Sequence, residues 1–278
     1  MPVLTQTHRN PANTLAEYPG YFPVSGAHLY TVLHQVENPV ARVLLVGPFA
    51  PVRHTSYRTW VQWARYLATN RIEVLRFDYR GVGESTGSFE EMTLESWTDD
   101  VRCLAKWLRK QERNAPLLLH GLELGGLLAA RVFHEGEADA LMLWSTPTDA
   151  NQVLRSALKH WIGPLQLSKR EGERRPPSHY FRLLDEGKNV EVEGYEWSAE
   201  LWRQSLTFAL PAPMVPPNDP AASYKRPVRM VTLGKNAAPL VYGAVPGYEE
   251  NKDFSWLFNP NSHWIASNLS VRLEAVHD

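Results

Sequence analysis

The chain has 278 residues, 29 basic against 30 acidic and a formal net charge of −1, so no electrostatic case exists for nucleic acid or a membrane surface. Its 44% hydrophobic content and ten tryptophans suffice for a sizeable core, in one large α/β domain or two smaller ones. Cys103 is the one cysteine, which excludes an internal disulfide and fits a reducing compartment.

The N-terminal MPVLTQTHRNPANT lacks the basic start and apolar run of a secretory signal. No stretch reaches the ~20 apolar residues of a membrane helix, so a cytoplasmic protein is expected. ARVLLVGPF (41–49) and IEVLRFDYR (72–80) read as strands, with the helix-spaced SYRTWVQWARYLATN between them. TLESWTDDVRCLAKWLRKQ (93–111) puts Trp97, Val101, Leu104 and Leu108 on one helical face, with Thr93 at the cap position. PLLLHG, LGGLLAARVF and ALMLWSTP then repeat a strand–helix–strand unit.

A long interruption follows, at about 151–227. It holds the charged SKREGERRPP (168–177), the proline-rich LPAPMVPPNDP (210–220) and, between them, VEVEGYEWSAELWRQSL, which alternates and then turns helical. So long an insertion between sheet strands points to function, while its charge run reads as a solvated loop. VRMVTLG (228–234) and FSWLF (254–258) read as two more strands, and HWIASNLSVRLEAV as an amphipathic helix. Strands alternating with helices predict an α/β, doubly wound, mostly parallel sheet covered on both faces. The expected division is a core from 1–150 and 228–278, with 151–227 as an inserted cap.

Chemistry is most legible in HGLELGG (120–126). An apolar strand, a tight glycine turn and a helix form the context of a nucleophile elbow, and Gly121, Gly125 and Gly126 fill the small positions of G-x-S-x-G-G. The position of the serine holds Glu123. FDYRGVGESTG (77–87) follows the preceding strand; Thr86 stands where the third glycine of a dinucleotide fingerprint belongs, so Asp78, Arg80 and Ser85 read as loop-structuring. NPNSHW (259–264), after the last predicted strand, puts His263 in the chain position of a catalytic histidine.

These features resemble the α/β-hydrolases and, more narrowly, the second type of exosortase A system-associated hydrolases. The likeness rests on GPFAPVRHTSYR, RGVGESTGSF, PLLLHGLELGGLLA, LMLWSTP and GKNVEVEGYEWSAEL, spanning about 40 to 265. It implies an α/β-hydrolase fold with a cap between the sixth and seventh strands, a setting in bacterial exopolysaccharide and protein-sorting gene neighbourhoods, and an elbow serine that is not invariant. By the same likeness Tyr195 and Trp197 of the insertion are expected to bind substrate.

The departures bear on the reaction. Glu123 has no hydroxyl to form an ordinary acyl-enzyme, and GKNAAPLV puts Asn236 and Ala237 near the usual station of the acid. Asp149 in STPTDAN is the one substitute, with a turn or helix cap as its plainer role. An oxyanion hole would use the N–H of Leu124 and, because Pro48 has none, that of Phe49 or Ala50. Two classes of function follow. One is a non-catalytic homologue that keeps a pocket for a small molecule or a protein. The other is an active hydrolase of acyl esters, thioesters or epoxides, in which Glu123 is nucleophile or base with His263. Glu123 is expected to contact His263 or another donor such as a backbone N–H, because an unpaired buried carboxylate is costly. No cofactor is expected, and ten scattered histidines without an HExxH offer no metal site.

Overall fold

The structure is a computed structural model describing residues 16–111, 115–168, 170, 173–192, 194–211, 226–233 and 254–269. Its centre is a seven-stranded sheet. A hairpin of β1 (Ala16–Val24) and β2 (Ala27–Gln35) leads in, turning at Gly26 with φ +75°. Then come β3 (Ala41–Val46), α1 (Ala50–Thr69), β4 (Ile72–Phe77), α2 (Leu94–Arg109), β5 (Leu117–Leu122), α3 (Leu124–His134) and β6 (Ala140–Trp144). The strand order is β1-β2-β4-β3-β5-β6-β9, where β9 is Val228–Val231. Pairing is antiparallel from β1 to β2 and from β2 to β4, and parallel from β4 onward.

The parallel strands β3, β5 and β6 are buried at every position, as strands covered on both faces must be. One apolar layer packs α2 and α3 against the sheet through Trp97, Val101, Leu104, Leu127 and Leu128; the other packs α1 through Trp60, Trp63 and Leu67. Thr93 caps α2 in a capping box with Ser96, as its position predicts. Asp78, Arg80 and Ser85 tie down the loop after β4. Asp78 accepts from Arg53 (2.7 Å) and from the Glu84 N–H, Ser85 Oγ donates to the Asp78 carbonyl, and Arg80 Nε donates to buried Asp100 at 2.7 Å.

Between β6 and β9 lie α4 (Ala150–Ser168), α5 (Pro177–Asp185), the short hairpin β7 (Val190–Val192) and β8 (Tyr195–Trp197), and α6 (Ala199–Ser205). VEVEGYEWSAELWRQSL thus forms the alternating and then helical structure its pattern predicts.

FSWLF differs from its expected strand. It lies at the start of α7 (Ser255–Leu269), which holds Pro260 inside it. Phe254, Leu257, Phe258, Asn261, Ser262, Ile265 and Leu269 are buried, a spacing of three and four residues that belongs to a helix and not a strand. Asn236 and Ala237 lie outside the described residues, as do most of the proline-rich stretch and the end of the chain beyond Leu269. No described helix is long and apolar enough to cross a membrane, and no group of three His, Cys, Asp or Glu among the described residues is placed to hold a metal.

Candidate active site

The turn between β5 and α3 is built by what glycine permits. A Cβ on Gly121 would collide with the Gly126 backbone, one on Gly125 with the carbonyl oxygens of Val46 and Gly47, and one on Gly126 with Thr146. This close approach lets the chain reverse within one residue. That residue is Glu123, at φ 52° and ψ −121°, a conformation L side chains seldom adopt. The Glu123 N–H donates to the Trp144 carbonyl and its own carbonyl accepts from the Gly126 N–H, so both sides of the turn are fixed. This is the geometry a nucleophile elbow requires.

The Glu123 side chain folds back on its own turn. Its carboxylate accepts hydrogen bonds from the N–H groups of Phe49 (3.2 Å to Oε2) and Leu124. These are the two donors expected to form an oxyanion hole, one after the elbow residue and one after the first central strand. Pro48 contributes none, as its ring dictates, and the Phe49 N–H makes the contact. The carboxyl is desolvated, and burial raises it to about 7 despite the two N–H bonds, which pull the other way. Among the described residues, no charged neighbour contributes to that shift. Glu123 therefore has donors, and they are backbone amides.

The other residues singled out by sequence do not meet at Glu123. His263 is exposed on α7, and its one described polar contact is Ser267 one turn on, at 3.4 Å. The expected loop is a helix whose Asn261, Ser262 and Ile265 face the core, which turns His263 outward. Asp149 Oδ1 accepts from the Gln152 N–H at 2.9 Å, the bond of a cap on α4, and Oδ2 accepts from Thr148. Trp197 is buried and packs on Phe49, Phe89 and Trp161; Tyr195 is partly exposed and packs on Phe89 and Trp161. These two rings join the insertion to the core and are not among the residues lining the pocket at the elbow.

That pocket has a volume of about 480 Å³. Glu123 opens onto it, together with Thr55 of α1, Ser145, Thr146 and Pro147 after β6, and Thr232 and Leu233 after β9. One face of α4 supplies Gln152, Val153, Ser156, Ala157 and His160. None of these α4 residues is marked by a catalytic motif. The signal available was their spacing of three and four residues in the first helix of the insertion, which places them on one side. His120, the first letter of the elbow string, is fully buried behind the turn among Trp60, Trp63 and Trp144. Its Nδ1 accepts from Trp63 Nε1 (3.0 Å), and burial lowers it to about 3, so it is a neutral packing group.

Residues 53–171, which include the elbow, match the family described as serine aminopeptidase, S33. No curated protein matches the chain in sequence. Among solved structures, ferulic acid-bound Est1E from Butyrivibrio proteoclasticus aligns at a TM-score of 0.57 and 16% identity, over 90% of this chain and 99% of that one. The α/β hydrolase GrgF from Penicillium sp. sh18 aligns at 0.57 and 13% identity, over 91% and 99%. At these identities the likeness is one of fold.

Proposed function

We propose that this chain, which has the α/β-hydrolase fold, is a non-catalytic member that keeps a ligand pocket and has lost serine-type hydrolysis. The observation that carries this reading is the Glu123 carboxylate, bonded to the Phe49 and Leu124 N–H groups where a substrate oxyanion would sit. Losing a nucleophile removes most of the rate of such a site, and filling its electrophilic donors removes much of the rest. Neither His263 nor Asp149 is within the hydrogen bonds described for Glu123. The α4 face and the loops after β6 and β9 still enclose a volume typical of small-molecule sites, roughly 300 to 1,000 Å³. In this reading residues 151–227 act as the cap over that pocket. The narrower kinship with the exosortase-associated hydrolases, supported by VEVEGYEWS, and a cytoplasmic setting belong to the same proposal.

One observation favours a second reading. A carboxyl near pH 7 is poised for general acid–base work, so Glu123 as a base toward water is the alternative. A paired assay separates the two. Wild type, Glu123→Ala and Glu123→Ser are incubated with 4-nitrophenyl acetate, acetyl thioesters and styrene oxide. The expected result is no turnover by any of them. Wild-type turnover that Glu123→Ala abolishes would overturn the non-catalytic reading, and activity gained by Glu123→Ser would show that a working base and acid remain.

A further inference from the structure

The pocket at the elbow has an unusual charge pattern. Glu123 is the one carboxylate among its described lining residues, which include no lysine or arginine. The carboxyl is desolvated, and its bonds go to two neutral backbone N–H groups. Two other titratable groups stand near it. Tyr79 is buried with its hydroxyl donating to the Gly47 carbonyl at 2.7 Å, and His160 is on the α4 wall. Arg53 is spent on Asp78. A buried anion without a counter-charge gains most from a guest that brings one, because Coulomb attraction grows as the local dielectric falls. A hydroxyl guest supplies a hydrogen bond and leaves the charge uncompensated, and an anionic guest is repelled. The lining sets the apolar Val52, Val153, Ala157 and Leu233 beside a larger number of neutral polar side chains, Gln152 and Ser156 among them, which suits a compact body of mixed polarity.

We infer that this pocket selects a small primary amine, bound as its ammonium ion with the N–H donors on the Glu123 carboxylate. The inference rests on the ligand-pocket reading above and names the chemistry that pocket takes. No bond is made or broken: the ammonium enters as the counter-ion that none of the described lining residues provides.

The test uses three ligands of matched shape on the whole protein: cyclohexylamine, cyclohexanol and cyclohexanecarboxylate. Affinity is followed by calorimetry, and the Glu123 carboxyl by ¹³C NMR of δ-labelled glutamate at pH 7. Cyclohexylamine is expected to bind about tenfold or more tightly than cyclohexanol and to move the Glu123 signal toward its ionised position, with the carboxylate ligand not binding. Glu123→Gln is expected to remove that preference. Since the NMR shift is read on wild type, the test does not depend on the variant folding. Binding of cyclohexanol as tight as that of the amine, or an amine affinity unchanged in Glu123→Gln, overturns the inference and leaves the ligand-pocket reading standing. Ester turnover dependent on Glu123 overturns that reading itself. Absence of binding by all three ligands overturns the amine inference and withdraws support from the pocket.

Discussion

At Glu123 one added group changes what a turn can do. A serine hydroxyl at φ 52° projects toward substrate, whereas the glutamate chain is long enough for its carboxylate to curl onto the Phe49 and Leu124 N–H groups. Burial outweighs those two bonds and raises its protonation to about pH 7. The sign for stability follows. Between an ordinary glutamate value and 7 the folded chain binds more protons than the unfolded one, so this residue makes the fold less stable as pH rises through that window. Below it, both states are protonated and the penalty is absent. Glu123→Gln keeps an oxygen for the two N–H groups and removes the charge. Thermal unfolding should therefore show the variant more stable at pH 8, by up to about 3 kcal/mol, with the gap closing by pH 4. A variant less stable at pH 8, or a gap that does not vary with pH, would contradict the buried-anion account.

The element that makes this possible is the strand–turn–helix of β5 and α3, and it was legible in sequence because glycine spacing and apolar runs are local signals. Gly125 is the tightest test of it. Its absent Cβ leaves room for the carbonyls of Val46 and Gly47 at the end of β3, and backbone atoms there do not swing aside as a side chain would. Gly125→Ala should cost about 1 to 3 kcal/mol or more in urea unfolding, from overpacking, and should displace the β3 end that carries the Phe49 N–H. Gly136→Ala, where nothing lies within 4 Å, is the control for space, although its φ of +96° adds strain of its own. Other elements were not legible. The hairpin of β1 and β2 is hidden in the sequence because Pro19, Gly20 and Pro23 interrupt β1; an edge strand tolerates proline where its missing N–H would face outward. FSWLF reads as a strand because a five-residue apolar run fits either period, and only the burial of Asn261, Ser262, Ile265 and Leu269 beyond it reveals the helix.

Across the whole molecule, the insertion is joined to the core by aromatic rings packed edge to face. Trp197 lies 5.4 Å from Phe49, 6.0 Å from Phe89 and 5.6 Å from Trp161, centroid to centroid, and Trp161 stacks on Tyr195 at 5.4 Å. The ring of Phe49 thus carries the insertion while its N–H holds Glu123, which couples packing of the insertion to the turn. Trp197→Ala should cost about 3 to 5 kcal/mol in denaturant unfolding and should also shift the Glu123 carboxyl resonance. An unmoved resonance would mean that the rings pack without positioning the turn. The sequence alone determined the α/β class, the parallel core strands, the glycine-framed turn and the glutamate at its apex, since period, glycine spacing and residue identity are properties of short stretches. Only the tertiary structure decided which groups meet. The Phe49 N–H and Glu123 are 74 residues apart in sequence, Asp149 is engaged by the helix it caps, and His263 is turned outward by its neighbours on α7. Contacts of that range depend on how the layers pack, and local pattern does not encode the direction in which a side chain finally points.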